Sequence, residues 1–271
     1  MADNTASFSG SIPEFYDRDL GPVFFADWAK AMADRVAAHA PERVLETAAG
    51  TGIVTRVLRD RLPPRGSLIS TDLNAPMLEV ARRKISPGEK VEFQPADATS
   101  LPFGDASFDA VVCQFGIMFF PDKDKGYGEA FRVLKPGGRF HFSVWDDHRY
   151  NPTGRIAHQV IGSFFPKDPP PFYAVPYGYT QLDAIRDSVE RAGFQELTVE
   201  VMRTDHKLAS AADFARGLVY GNPTIDQIRA RGGVDPDAVV SALTDAFERE
   251  VAPRGGLLPL QVILFETRRP N

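Results

Sequence analysis

Cysteine is almost missing from this chain. Cys113 stands alone among 271 residues, which excludes a disulfide framework and a cluster of thiolate metal ligands, and no metal site is expected. Long apolar runs are missing as well. No stretch reaches the run of about 18 uninterrupted apolar residues that a membrane-spanning helix needs. The opening "MADNTASFSGSIPEFYDRD" lacks the basic and then apolar order of a signal peptide. The expectation is an unprocessed cytoplasmic protein without membrane insertion. Runs of Lys and Arg are absent too, and the formal net charge is -5, which argues against nucleic acid as a partner. What the chain does have is 43% hydrophobic residues, among them 20 phenylalanines. That is enough to bury one sizeable core in a single domain spanning residues 1–271.

The order of elements is legible for the first half. "FFADWAKAMADRVAAH", Phe24 to His39, carries apolar residues at helical spacing and stops at Pro41. Strands are expected at Val44–Glu46, Ser67–Thr71, Val91–Gln94, Ala110–Gln114 and Phe140–Trp145. Helices are expected at Ile53–Arg61, Pro76–Lys84 and Tyr127–Leu134, the last ended by "KPGG". Short apolar strands alternating with helices signal a parallel sheet covered on both faces, with ligands at the carboxyl ends of the strands. Glu46, Asp72, Asp97 and Gln114 therefore fall along one edge. After Trp145 the alternation fails. "IGSFFPKDPPPFYAVPYGYT" is too rich in proline and aromatics for a strand and reads as an ordered irregular cover. Thr180 then caps a helix to Ala192, "LTVEVMR" is a strand, Ser210–Val251 is a helical insertion, and "LQVILFET" closes the sheet as half of an antiparallel pair.

The turn in "RVLETAAGTGIVTRVLRD" lies between a strand and a helix N-terminus, a place suited to nucleotide-containing ligands. The dinucleotide pattern fails: counted from Gly50 its third glycine falls on Thr55, and counted from Ala48 on Ile53. Glu46 is more informative. A carboxylate at the strand end would repel a pyrophosphate by an amount on the order of kcal/mol in a partly buried site, yet it would attract a cation. S-adenosylmethionine is the nucleoside cofactor that is cationic there, with an ammonium, a sulfonium and no phosphate. Asp72 ends the second strand and can accept both hydroxyls of a ribose. Asp97 can accept from the exocyclic amine of adenine, and the backbone of Gln114 to Gly116 can meet the methionine end. Thr47, Leu73, Met77 and Phe115 flank these positions and complete the expected cofactor cleft.

The runs "VLETAAGTG", "STDLNAPML", "ADATSLPFGDASFDAVVCQFGIMFF" and "EAFRVLKPGGRFHFSVW" resemble the class I S-adenosylmethionine-dependent methyltransferases. They are most similar to the group containing the ubiquinone and menaquinone biosynthesis C-methyltransferases. The resemblance covers roughly Tyr16 to Trp145. It implies an α/β, Rossmann-like class I methyltransferase fold: a seven-stranded, mostly parallel sheet with an antiparallel final strand and a helical substrate cover. Residues 1–40 would form an N-terminal helical lid, 41–145 the cofactor-binding core, and 146–180 with 210–251 the cover. The same resemblance implies Glu46 near the methionine amine, Ala48, Gly50 and Gly52 as the close-approach turn, Asp72 on the ribose, Asp97 with Ala98 at the adenine, and Tyr16 closing over the cofactor. Ala48 departs from the usual glycine, a mild change provided that its φ stays below zero.

Methyl transfer from a sulfonium is an in-line displacement, so positioning alone can supply about 7 to 11 kcal/mol and a base is optional. His148 and His158, which follow the fifth strand, and Tyr177 with Tyr179 are the candidates for one; His141 and His39 read as structural. Phe164, Phe165, Phe172, Tyr173, Tyr177 and Tyr179 offer an apolar wall for a small, apolar or aromatic substrate, with core packing or a homodimer contact as their other reading. C- or O-methylation of such a molecule is the favoured function. A protein of the same fold that binds S-adenosylmethionine for regulation, assembly or a reaction without methyl transfer is the alternative.

Overall fold

A computed structural model describes residues 5–271. The first four residues of the expected lid lie outside the described residues. The chain opens with α1 (Ile12–Phe15), whose first turn carries Pro13, followed by a π-helical stretch from Tyr16 to Phe25 and α2 (Ala26–Ala37). Then come β1 (Arg43–Glu46), α3 (Ile53–Arg61), β2 (Ser67–Asp72), α4 (Ala75–Arg82), β3 (Val91–Pro95), β4 (Phe108–Gln114), α5 (Lys123–Val133) and β5 (Leu134–Trp145). The second half runs α6 (Pro152–Phe164), α7 (Leu182–Arg191), β6 (Gln195–Lys207), α8 (Ala211–Tyr220), α9 (Thr224–Arg231), α10 (Pro236–Val251) and β7 (Leu257–Arg268).

The seven strands form one sheet in the order β3-β2-β1-β4-β5-β7-β6. β1 pairs in parallel with β2 and β4, β2 with β3, and β4 with β5, whereas β7 is antiparallel to both of its neighbours. Parallel strands joined by helices are buried on both faces, which is why Val44, Leu45, Val111 and Val112 form apolar runs rather than alternating. The strand order reverses between β1 and β4. In open α/β sheets ligands bind at that switch point, outside the carboxyl ends of the strands. Many of the phenylalanines are spent on the far half of the sheet. Phe142 stacks on Phe265 at 4.6 Å and on Phe140 at 4.9 Å, with Tyr127 edge-on to Phe142 at 5.4 Å.

The structure departs from the sequence reading in several places. The N-terminal helix begins well before Phe24, wound with the wide π repeat through Pro22. That repeat breaks the 3.6 spacing on which helix recognition depends. The connection after Trp145 is not irregular from the start, because α6 occupies Pro152–Phe164 and buries Ile156, Ala157 and Ile161 at helical spacing. Only the proline-rich stretch beyond it lacks regular helix or strand. α7 is capped at Gln181 rather than Thr180, without a side-chain hydrogen bond. "KPGG" does not separate α5 from its strand but forms the first part of β5, accommodated by a register shift against β4 between Phe108 and Ala110. The Ser210–Val251 insertion is three helices. α8 and α10 pack together, α10 against α6, and α8 against the π-helix.

Candidate functional site

The carboxyl ends of β1, β2 and β4 open onto three adjoining cavities. The largest, about 860 Å³ including space open to solvent, is bounded by Ala48, Gly50, Asp72, Leu73, Met77 and Asp97, with Ala98, Gln114 and Phe115 beside them. A smaller one of about 310 Å³ reaches Glu46, Thr51 and Gln114. A third, of about 490 Å³, is enclosed almost wholly by rings, among them Phe24, Phe25, Phe115, Trp145, Phe172 and Tyr177. Tyr16 borders all three, and Phe115 borders the first and the third. Among the described lining residues there is no Lys, Arg or His, while Glu46, Asp72 and Asp97 are all present.

Each carboxylate is set by its strand end. Glu46 is buried, and its Oε2 accepts from Thr55 Oγ1 at 2.5 Å and Ser70 Oγ at 2.8 Å. Burial outweighs these bonds and pushes its pKa up to about 7, with Asp72 adding to the rise. Asp72 Oδ2 accepts from the Gly50 N–H at 2.9 Å, and Oδ1 from the Asn74 N–H at 2.8 Å. Burial raises its pKa too, against those backbone donors. Two buried carboxylates, both resisting ionisation, make a place where a cation or a hydroxyl donor is welcome. Asp97 lies at the exposed rim, its Oδ1 accepting from Thr99 N–H and Oγ1. Leu73, 61% exposed, gives the cleft an apolar ledge. Gln114 Oε1 is buried with no hydrogen-bond partner.

The turn is more strained than the sequence suggested. Ala48 has φ +52, so the condition that made its methyl harmless fails, and the left-handed backbone there costs about 1 kcal/mol. Gly50 takes φ +56 facing Met77 and Tyr16 across the cleft. Gly52 does something else: at φ +77, a Cβ on it would stand 2.6 Å from that of Ala81, so its close approach is to α4. Thr47 is turned inward, its N–H donating to Val112 O at 2.8 Å, and it borders none of the three cavities. His158 is exposed on α6. The His148 ring lies against that of Tyr177, centroids 4.9 Å apart, and burial lowers the His148 pKa. Of the expected aromatic wall, Phe172, Tyr173 and Tyr177 face the third cavity. Phe164 and Phe165 do not, and the Tyr179 hydroxyl meets that of Tyr127 at 3.3 Å.

Sequence reasoning missed the N-terminal strap. The Phe8 N–H donates to Asn74 Oδ1 at 3.0 Å, and Asn74 Nδ2 donates to Ala6 O at 3.0 Å, which brings Phe8 edge-on to Tyr16 at 5.9 Å. A lone phenylalanine in "TASFSG" carries no signal of this. Asp17 fastens the π-helix to the turn by accepting from Thr51 Oγ1 at 2.7 Å and pairing with Lys84. Phe119 also borders the first and third cavities; it sits in the quoted run "IMFF", but a position after β4 does not tell which way a ring points.

Residues 23–159 match the profile of the ubiE/COQ5 methyltransferase family. The chain belongs to the ubiE/COQ5 methyltransferase family. It is 43% identical over 113 residues to the demethylmenaquinone methyltransferase of Thermus thermophilus, covering 41% of this chain and 51% of that protein. It is 39% identical over 115 residues to a ubiquinone/menaquinone biosynthesis C-methyltransferase of Hahella chejuensis, covering 41% and 46%. The chain thus spans about half the length of the curated relatives it matches. Among solved structures, phosphoethanolamine N-methyltransferase 2 of Haemonchus contortus shares the fold at 20% identity with a TM-score of 0.55, over 97% of this chain and 61% of that one. The ubiE/COQ5 match ends inside α6. Cavity residues Phe172, Tyr173, Tyr177 and Asn222 lie beyond it.

Proposed function

We propose that this protein transfers a methyl group from S-adenosylmethionine to a carbon or oxygen of a small, apolar, aromatic molecule of quinone-like kind. The observation that carries the reading is the cleft itself: three carboxylates at or just past strand ends, no cation among its described walls, and a neighbouring cavity of aromatic rings that shares Phe8, Tyr16, Phe115 and Phe119 with it. A pyrophosphate would meet only like charge there. In this reading Glu46 and the unpartnered Gln114 Oε1 receive the ammonium, Asp72 the ribose hydroxyls, and Leu73, Met77, Asp97 and Ala98 the adenine, while Gly50 admits the ligand and Tyr16 closes over it. The bound cofactor supplies an electrophilic methyl on a positively charged sulfur. What the chain supplies is alignment and exclusion of water. The hydroxyls of Tyr16, Tyr173 and Tyr177 are held protonated by burial, so none serves as a base near neutrality. The acceptor must bring its own acidity. The α6 and α8–α10 segments act as its cover, and a cytoplasmic setting without a nucleic-acid partner fits the net charge of -5. Among the described residues no helix is long and apolar enough to cross a membrane.

Calorimetric titration is expected to show binding of S-adenosylmethionine and its demethylated product, and none of NAD. With labelled methyl donor and a panel of phenols, quinones and lipids, label should pass to an aromatic acceptor. Binding of NAD alone would sink the proposal, and cofactor binding without transfer to any of the panel would point to a non-transferring role. Asp72→Ala should weaken cofactor binding by about 1–3 kcal/mol through loss of a charged acceptor. The Gly50 and Asn74 N–H groups it anchors put the loss toward the upper end. An affinity within twofold of the original would leave Asp72 as a tie between turn and helix only.

A further inference from the structure

Away from the cleft, the turn after α2 meets β5 and the C-terminal end of β7. His39, His141 of β5 and Glu266 of β7 each place one ligand atom so that all lie within 4.8 Å of one another. His141 and Glu266 are direct cross-strand partners, so their side chains share a face of the sheet. His39 Nε2 is 3.2 Å from Glu266 Oε1, and His141 Nδ1 is 3.6 Å from Oε2. The second separation is too long for a hydrogen bond. Both ring nitrogens of His141, a residue 1% exposed, are buried without a hydrogen-bond partner. A buried imidazole left this way carries its full desolvation cost unless something other than the polypeptide engages it.

A divalent ion would do so. Ligands held tetrahedrally about 2.0–2.1 Å from zinc stand about 3.3 Å apart; each imidazole lies near that distance from one oxygen of the Glu266 carboxylate, His39 from Oε1 and His141 from Oε2, and one ligand atom from each of the three residues falls within 4.8 Å of the others. Two imidazoles and a carboxylate are a donor set for Zn²⁺ and neighbouring divalent ions. The groove bounded by His39, His141, Asp109, Lys135 and Arg139 leaves the outer side open to water. Arg139 Nη1 donates to Glu266 Oε1 at 2.6 Å, which orients the carboxylate and leaves Oε2 toward His141. The C-terminal end of α2 adds negative potential. We propose that His39, His141 and Glu266 form a binding site for a divalent cation of the zinc type, pinning the end of α2 to the central strands.

Tag-free, chelator-stripped protein titrated with Zn²⁺ should take up one ion per chain and unfold at a higher temperature with it. Co²⁺ should give the visible absorption of a low-symmetry tetrahedral site. His39→Ala, at a position that the core does not include, should fold normally and weaken binding about tenfold or more. His206→Ala, another histidine near a carboxylate (Asp27), should leave binding unchanged and so controls for surface histidines. Absence of stoichiometric uptake at micromolar metal, or uptake by His39→Ala equal to that of the unaltered protein, overturns the proposal and leaves an ion pair between Arg139 and Glu266 flanked by two histidines.

Discussion

Glu46→Gln should make the free protein more stable at pH 8 and at the same time a poorer binder of S-adenosylmethionine. The carboxyl group is buried, and its pKa stands at about 7 instead of 4.5. The folded state therefore holds the proton more tightly than the unfolded chain between those values, and stability falls as pH rises through the window. Above pH 7 the ionised group costs the fold about 3–4 kcal/mol, since the rise from 4.5 to about 7 is worth about 1.4 kcal/mol for each pH unit. Glutamine keeps an oxygen to accept from Thr55 and Ser70 and carries no charge. Its advantage should be greatest at pH 8 and shrink toward pH 5. The unaltered protein should bind the cofactor more tightly as pH rises toward 7 and then level off, releasing a proton on binding below that point. The Gln variant should show a shallower profile, with only Asp72 left to titrate of the two buried carboxylates, and an affinity lower by about 1.5–3 kcal/mol, the worth of a hydrogen bond to a charged group. Thermal unfolding and calorimetry at several pH values check both halves. A variant that melts lower at pH 8 and binds as before would make Glu46 a structural hub for Thr55 and Ser70.

That trade-off was partly legible in the sequence, and the reason is local. Glu46 and Asp72 could be placed because each ends a short apolar strand, and strand ends in a parallel sheet share an edge. The limits of α3 were legible too, fixed by the glycine turn before it and Pro63 after it. What could not be read depends on direction or on distant pairing. Gly52 and Gly50 look alike in "AAGTG", yet one faces Ala81 and the other the cleft. Ala48 gave no sign of φ +52, because the surrounding packing enforces it. The π repeat of Tyr16–Phe25 hid the segment that brings Tyr16, Leu20, Phe24 and Phe25 to one cavity. The group of His39, His141 and Glu266 comes from three segments far apart in sequence, joined only by the β5–β7 register.

Phe115→Leu should lower methyl transfer far more than it lowers cofactor affinity. Phe115 follows the last residue of β4 at φ +56, a conformation that a bulky residue adopts only when its surroundings demand it. The demand comes from two sides. Its N–H donates to Ser143 O at 3.1 Å, and its ring lies flat on Trp145, with centroids 4.4 Å apart and planes 5° from parallel. Held this way, the ring borders both the carboxylate cleft and the aromatic cavity, as Phe8, Tyr16 and Phe119 also do; on the proposed reading, the methyl group passes from donor to acceptor between these two cavities. Leucine keeps most of the apolar volume and should keep the fold, giving up about 0.5–1.5 kcal/mol of ring stacking. It lacks the flat face that orients an aromatic acceptor, and misplacement by about 1 Å is enough to cost on the order of a hundredfold in rate. Turnover with a methylated member of the phenol and quinone panel should therefore fall between tenfold and a hundredfold (about 1.4–2.7 kcal/mol), while the cofactor Kd stays within about threefold, since the ribose, adenine and ammonium partners proposed here are untouched. Equal losses in both would mean that Phe115 serves mainly to hold the cofactor, as the sequence reading expected. Unchanged turnover would mean that the acceptor does not enter through the aromatic cavity, and the proposed direction of transfer would have to be abandoned.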